Sequence, residues 1–198
     1  MSSSARRGFL WSSAVFFLAI SLAGGSLAAC GGSGRDGQFP DRPLPAYAGR
    51  SVELFDDAIE PQAVGLAFEP AADPRSDPKF RERAQTSDAI LRVKIETVTS
   101  RGDGAGARYD LAFHTLQKVG GDNPPREDFT LHIEGDSPSA GIVRTMQTQL
   151  GGKTFVVFLR QFLRSDGEAE WHIHLSPDAK NVVAAAHDAT ALVQVTNN

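Results

Sequence analysis

The first 29 residues limit how much of this chain can enter a folded domain. Arg6 and Arg7 precede an apolar run from Phe9 to Leu22, and residues 1–29 contain no acidic residue. A basic start followed by such a run is typical of a secretory signal peptide. The run is shorter than the roughly 20 residues that a permanent transmembrane helix needs. We therefore expect residues 1–29 to be a signal peptide that is removed, which leaves 169 of the 198 residues.

The signal-like segment ends in Leu27-Ala28-Ala29-Cys30, and Cys30 is the single cysteine of the chain. These four residues after an apolar run resemble the lipobox of bacterial lipoproteins. The resemblance implies that a signal peptidase recognises Leu27, Ala28 and Ala29. It also implies that the Cys30 thiol carries a diacylglyceryl group, with a further acyl chain commonly on the amine. Two or more acyl chains give stable anchoring, so we expect the chain to bind membrane lipid through Cys30.

Neighbouring residues bear on the route and the destination of export. Arg6-Arg7-Gly8-Phe9-Leu10 resembles a twin-arginine signal, although Ala5 stands where Ser or Thr is usual. An ordinary signal peptide that contains two arginines explains the same residues, so both routes stay open. Gly31 stands where a signal for inner-membrane retention would place Asp. The lipoprotein resemblance therefore implies the outer membrane of a double-membraned bacterium, facing either the periplasm or the surface.

The balance of charges restricts the class of partner. The sequence has 20 Lys and Arg against 24 Asp and Glu, a net charge of −4 that becomes −6 when the two arginines of the signal are lost. A nucleic-acid partner is not expected, because binding to phosphates usually requires a basic surface. An envelope protein, a peptide or a glycan remains compatible with this charge. A single cysteine also excludes an intramolecular disulfide and a zinc site of several thiolates.

A tether and one domain are expected after Cys30. Residues 31–50 are rich in Gly and Pro and lack periodicity, which predicts a flexible, partly extended tether. The higher apolar content that follows predicts a single β-rich domain over residues 51–198. From Val52 to Phe68 the apolar residues predict a short strand with turns, and Asp77-Pro78 predicts the start of a short helix.

Five strands and two further helices are predicted in the rest of the domain, with a barrel core at about residues 88–176. Alternating apolar residues predict three strands around residues 89–95, 109–113 and 129–133. A helix is predicted over Ile142–Leu150, followed by a strand over Thr154–Leu163 that is buried on both faces. The pattern ends with a strand at residues 171–175 and a helix at about residues 177–193.

Three strands, a helix and two strands are the layout of a small five-stranded OB-type barrel. The pattern also resembles netrin-like and metalloproteinase-inhibitor-like OB domains, without the disulfides of those families. We therefore expect a mainly β fold with two or three helices. A short β-sandwich, or a sheet covered by helices, would give the same order of elements.

His172 and His174 are the best candidates for a chemical site. Residues i and i+2 of a strand share a face roughly 6.6 Å apart, so two imidazoles could converge on one divalent metal ion. An OB barrel places its third and fifth strands side by side, so His132 could supply a third ligand. The alternative is that these histidines are solvated residues on the polar faces of their strands. No cofactor is otherwise expected beyond the lipid on Cys30.

No catalytic residue is predicted, because the sequence contains neither a P-loop nor a His-Glu-x-x-His pattern. The expected function is a non-enzymatic binding or structural module of the bacterial cell envelope. Two alternatives stay open. One is a metal-binding protein built on His172 and His174. The other is an inhibitor of an envelope protease, by resemblance to the netrin-like domains.

Overall fold

A computed structural model describes residues 43–66, 72–102 and 106–196, with side chains to residue 192. All of these residues belong to one compact unit. The lipobox residues Leu27, Ala28, Ala29 and Cys30, together with Arg6 and Arg7, lie outside the described residues. So does most of the tether. Among the described residues, no helix is both long and apolar enough to cross a membrane.

Six strands form one curled sheet that has the shape of a half-barrel. In chain order the strands are β1 (Ala58–Ile59), β2 (Ala89–Arg101), β3 (Arg108–Gly121), β4 (Asp128–Ile133), β5 (Thr154–Leu163) and β6 (Ala169–Pro177). Their order across the sheet is β1-β6-β5-β2-β3-β4. The short β1 pairs with β6 in parallel, and the other named strands pair in antiparallel fashion.

The prediction of a mainly β fold is confirmed, and β5 has the predicted bounds. The sheet has six strands rather than five because β1, a two-residue strand, adds to the outer edge of β6. The two ends of the sheet, β1 and β4, are not paired with each other in the strand order.

The four α-helices are α1 (Arg50–Leu54), α2 (Pro78–Thr86), α3 (Ala140–Leu150) and α4 (Lys180–Thr196), and short 3-10 helices span Pro61–Val64 and Pro74–Ser76. The predicted start of α2 is confirmed, since the Asp77 carboxylate accepts from the Lys79 N–H at 2.8 Å. The short strand expected in the stretch that begins at Val52 is β1, while Val52 itself lies in α1. The last helix begins three residues later than expected. Asp178, which lies before this helix, accepts two hydrogen bonds from the Arg92 guanidinium, at 2.7 and 2.8 Å.

The sheet carries a hydrophobic core on each face because its strands alternate with a period of two. On one face, Val143, Met146 and Leu150 of α3 pack against inward side chains such as Leu91. On the other face α1, α2 and α4 cover a second core, which includes Leu54, Phe80, Ile90, Phe158 and Ala186. Both faces of the central strand β5 are therefore buried, as its nearly continuous apolar sequence predicts.

Candidate functional site

Strand β6 directs its two histidines to the face opposite α3. Ile173 and Leu175 belong to the core on the α3 side, so the alternation of a strand turns His172 and His174 to the other side. The prediction that the two histidines share one face of the strand is confirmed. The segment that links α1 to the first 3-10 helix runs along the outer edge of β6 and brings three carboxylates to these histidines.

Asp57 fixes that segment to β6. Its backbone N–H donates to the Ile173 carbonyl at 2.9 Å, and its carboxylate accepts from the Ile173 N–H at 3.0 Å. The second carboxylate oxygen lies 2.7 Å from Nδ1 of His172. The φ angle of Asp57 is 50°, in the left-handed region that Asp tolerates better than most residues do. Its carbonyl accepts from the hydroxyl of Ser139, the buried residue that precedes α3.

Tyr47 stacks on the imidazole that Asp57 orients. The Tyr47 and His172 rings are nearly parallel, 9° apart, with centroids 3.5 Å apart. The Tyr47 hydroxyl donates to the Phe55 carbonyl at 2.6 Å, which fixes the ring in its plane. Burial raises the pKa of this hydroxyl, and the charges of nearby carboxylates raise it further, so the hydroxyl remains a donor. We call Tyr47, His172 and Asp57 the ring stack.

The ring stack borders an open groove of about 520 Å³. This volume lies within the range of about 300–1,000 Å³ that is usual for small-molecule sites. The groove is lined by Ala46, Tyr47, Phe162, Leu163, Arg164, Ser165, Glu170 and His172. Its aromatic side chains are Tyr47, near the end of the predicted tether, Phe162 of β5 and His172 of β6. Its polar side chains come from the end of the β5–β6 hairpin, where the Arg164 guanidinium lies 3.7 Å from the Glu170 carboxylate.

An ion cluster lies next along the same face of β6, formed by the buried Arg83 and His174 and the partly exposed Asp56 and Glu60. His174 is only 6% exposed. Its Nδ1 lies 2.7 Å from Asp56 and its Nε2 lies 2.9 Å from Glu60. The imidazole therefore bridges the two carboxyl groups through its two ring nitrogens. Arg83 is also buried, and its guanidinium donates to the Leu54 carbonyl at 2.6 Å.

The charges of the ion cluster balance one another. Burial alone would raise the pKa of the Asp56 and Glu60 carboxyls. The hydrogen bonds and charge of His174, with the charge of Arg83, outweigh burial and lower both pKa values. Ser176 adds a hydrogen bond to Glu60 at 2.6 Å. Burial lowers the pKa of Arg83, while the charges of Asp56 and Glu60 oppose that shift. The two carboxyl groups therefore favour the ionised form.

The structure does not bring His132 to the other two histidines. His132 lies on β4, at the opposite end of the sheet from β6, with β5, β2 and β3 between the two strands. Its Nδ1 lies 2.6 Å from the carboxylate of Asp110, its direct partner on β3. The expected adjacency of the third and fifth predicted strands is therefore wrong. The half-barrel leaves them apart where a closed barrel would pair them.

His172 and His174 share a face as predicted, but each imidazole is held by different carboxylates. The two carboxylates that contact His174 lie at opposite ends of its ring, so they do not face a common point. Within the part of the chain that the structure describes, no group of three or more His, Cys, Asp or Glu side chains has an arrangement suited to a metal ion.

The sequence interpretation missed most of the residues that surround the histidines: Tyr47, Asp56, Asp57, Glu60 and Arg83. One signal was present. Asp56, Asp57 and Glu60 interrupt an otherwise apolar stretch that includes Phe55 and Ile59, and carboxylates in such a stretch need a buried partner.

No protein-family model matches this chain, and no match is found among curated proteins.

Proposed function

We propose that this protein is a lipid-anchored binding module of the bacterial cell envelope and that the groove beside the ring stack is its ligand site. The observation that carries the proposal is the ring stack itself. Tyr47, Asp57 and His172 come from three separate parts of the chain and hold an aromatic surface rigidly at the edge of an open groove. A surface held in this way loses little conformational freedom when a ligand binds.

Binding is favoured over catalysis by the contacts of the two histidines. A general base needs an imidazole nitrogen that can reach the proton it removes. Both nitrogens of His174 are engaged by carboxylates inside the ion cluster. His172 has Nδ1 on Asp57, Nε2 3.8 Å from the Glu170 carboxylate and one ring face covered by Tyr47. These contacts suit side chains that hold a surface in place.

The export and anchoring part of the proposal rests on the lipobox-like residues 27–30. Cys30→Ala in the full chain, expressed in a double-membraned bacterium, is expected to abolish incorporation of a labelled fatty acid and to release the protein from the membrane fraction. Gly31→Asp is the matched control, because it keeps the thiol and is expected to keep the label while shifting the protein to the inner membrane. Unchanged labelling of the Cys30→Ala protein would overturn the anchoring.

The groove can be tested with two residues of equal exposure. Leu163 lines the groove and Leu116 does not, and both are 44% exposed. A photo-crosslinking residue at position 163 of the full chain, in living cells, is expected to give an adduct that is absent with the same residue at position 116. Identical adduct patterns at the two positions would argue against a ligand site in the groove.

A further inference from the structure

Much of the backbone at the groove is already paired. The Leu163 N–H donates to the Pro45 carbonyl and the Arg164 N–H to the Glu168 carbonyl, each at 2.8 Å. Ala46 forms a parallel bridge with Leu163, and Asp57 bonds both backbone groups of Ile173. A peptide that adds as an extra strand needs free backbone groups along an edge. The groove therefore offers side chains rather than strand pairing.

The side chains that remain are aromatic rings and polar groups at the hairpin end. Tyr47 provides the ring surface, and Phe162, which is only 1% exposed, packs beside it with its ring centroid 5.1 Å away. Arg164, Ser165 and Glu170 provide hydrogen-bond donors and acceptors within the same groove. A sugar ring has the complementary chemistry, since it carries apolar C–H groups on its faces and hydroxyl groups around its rim.

The charges near the groove disfavour an anionic ligand. The ring stack itself contains the Asp57 carboxylate, and the Glu170 carboxylate lies 3.8 Å from Nε2 of His172. The one arginine that lines the groove in the described structure, Arg164, contacts the carboxylates of Asp166 and Glu170. Arg160, the partner of His172 on β5, places its guanidinium over the Phe162 ring. The carboxylates of Asp57, Asp166 and Glu170 offset these two arginines, so the groove has no excess of positive charge to attract a phosphate-bearing ligand such as a nucleotide.

We propose that the groove binds an uncharged glycan, with one sugar ring against Tyr47 and with Arg164 and Glu170 bonding its hydroxyl groups. This assignment rests on the proposed binding function and specifies the class of ligand. Because the Tyr47 hydroxyl is bonded to a backbone carbonyl, it is the ring and not the hydroxyl that contacts the sugar.

The test uses the full chain in detergent micelles with two soluble probes, a trisaccharide of N-acetylglucosamine and a trisaccharide of glucose. Binding is measured by calorimetry and by saturation-transfer difference NMR. Tyr47→Ala is expected to weaken binding about tenfold or more, because it removes the aromatic surface. Tyr47→Phe keeps the ring and is expected to stay within about twofold of the original affinity.

Two exposed residues keep the test valid if Tyr47→Ala fails to fold. Glu170→Gln and Arg164→Ala alter only groups at the groove rim, and both are expected to weaken binding several-fold. Leu192→Ala, in a separate groove of about 200 Å³ between α2 and α4, is the control and is expected to leave affinity unchanged.

Several outcomes would overturn the glycan assignment. They are absence of binding of both trisaccharides at millimolar concentration, equal affinity of the Tyr47→Ala protein, and binding of inorganic polyphosphate in preference to the sugars. A position-163 adduct together with no sugar binding would refute the glycan while leaving the binding module intact. Loss of the adduct as well would refute both proposals.

Discussion

Replacing His174 by Gln should reveal how much the ion cluster stabilises the domain. The variant keeps one donor nitrogen but removes the imidazole that bridges Asp56 and Glu60. Breaking a buried ion pair typically costs about 3–5 kcal/mol. The side chains of Asp56 and Glu60 are 28% and 29% exposed, so water can partly replace the lost partner. We therefore expect a loss of about 3 kcal/mol at pH 5.5, at the lower end of that range.

The loss should depend on pH in a defined direction. In the native protein the pKa values of Asp56 and Glu60 lie below their ordinary values of 3.8 and 4.5. Their contribution is therefore present above those ordinary values and is lost as the pH falls through the lowered ones. Without His174 the effect of burial dominates and raises both pKa values, so acid favours the folded variant. The difference in stability between the two proteins should shrink by about 1 kcal/mol or more at pH 3.5.

Urea denaturation at pH 5.5 and pH 3.5, followed by circular dichroism, measures both quantities. The lower pH range is chosen because an unfolded imidazole, with an ordinary pKa of about 6.5, is already protonated at pH 5.5. His132→Gln is the matched control. It also breaks a histidine–carboxylate contact, but that side chain is 66% exposed, so we expect a change of less than about 0.5 kcal/mol.

Two results would refute this reasoning. A loss below about 1 kcal/mol for His174→Gln at pH 5.5 would show that the cluster is not an energetic unit. An equal loss at pH 5.5 and pH 3.5 would show that the carboxylates are not held ionised by His174.

Four further substitutions test the fold by denaturant or thermal unfolding. Gly121→Ala should cost about 3 kcal/mol, because φ is +79° and an added Cβ would lie 2.3 Å from a backbone oxygen. Gly167→Ala, with a φ of +83° but open space, should cost only about 1 kcal/mol, and equal midpoints would contradict this. Arg92→Ala should cost about 1 kcal/mol by removing two hydrogen bonds to Asp178, and high salt should reduce the difference. Leu150→Ala should cost about 3 kcal/mol as a fully buried residue, and a loss below about 1 kcal/mol would argue against the packing of α3.

Local patterns in the sequence carried most of the secondary structure. The nearly continuous apolar run predicted β5 with its observed bounds, and Asp77-Pro78 predicted the start of α2. These features depend on neighbouring residues, so a local pattern suffices. The closure of the sheet cannot be predicted from a local pattern. Whether β4 pairs with β6 depends on how far the whole sheet curls, and no local period reports that curl.

The candidate site was predicted only in part for the same reason. The alternation of β6 placed His172 and His174 on one face. Their partners Asp56, Asp57 and Glu60 lie between 114 and 118 residues away in the sequence. A contact at that separation depends on how the edge of β6 is covered, which is decided by tertiary packing. The only local sign of these contacts in the sequence was the presence of carboxylates in an otherwise apolar stretch.

The contacts of residues 45–47 also have a mechanical consequence. A pull applied to the chain ahead of Pro45 reaches the domain first through the bond from the Leu163 N–H and through the stack of Tyr47 on His172. The groove is lined by three of these residues, Tyr47, Leu163 and His172. Tension that peels this segment away would therefore dismantle the groove. A ligand packed against Tyr47 would in turn raise the force that the segment withstands.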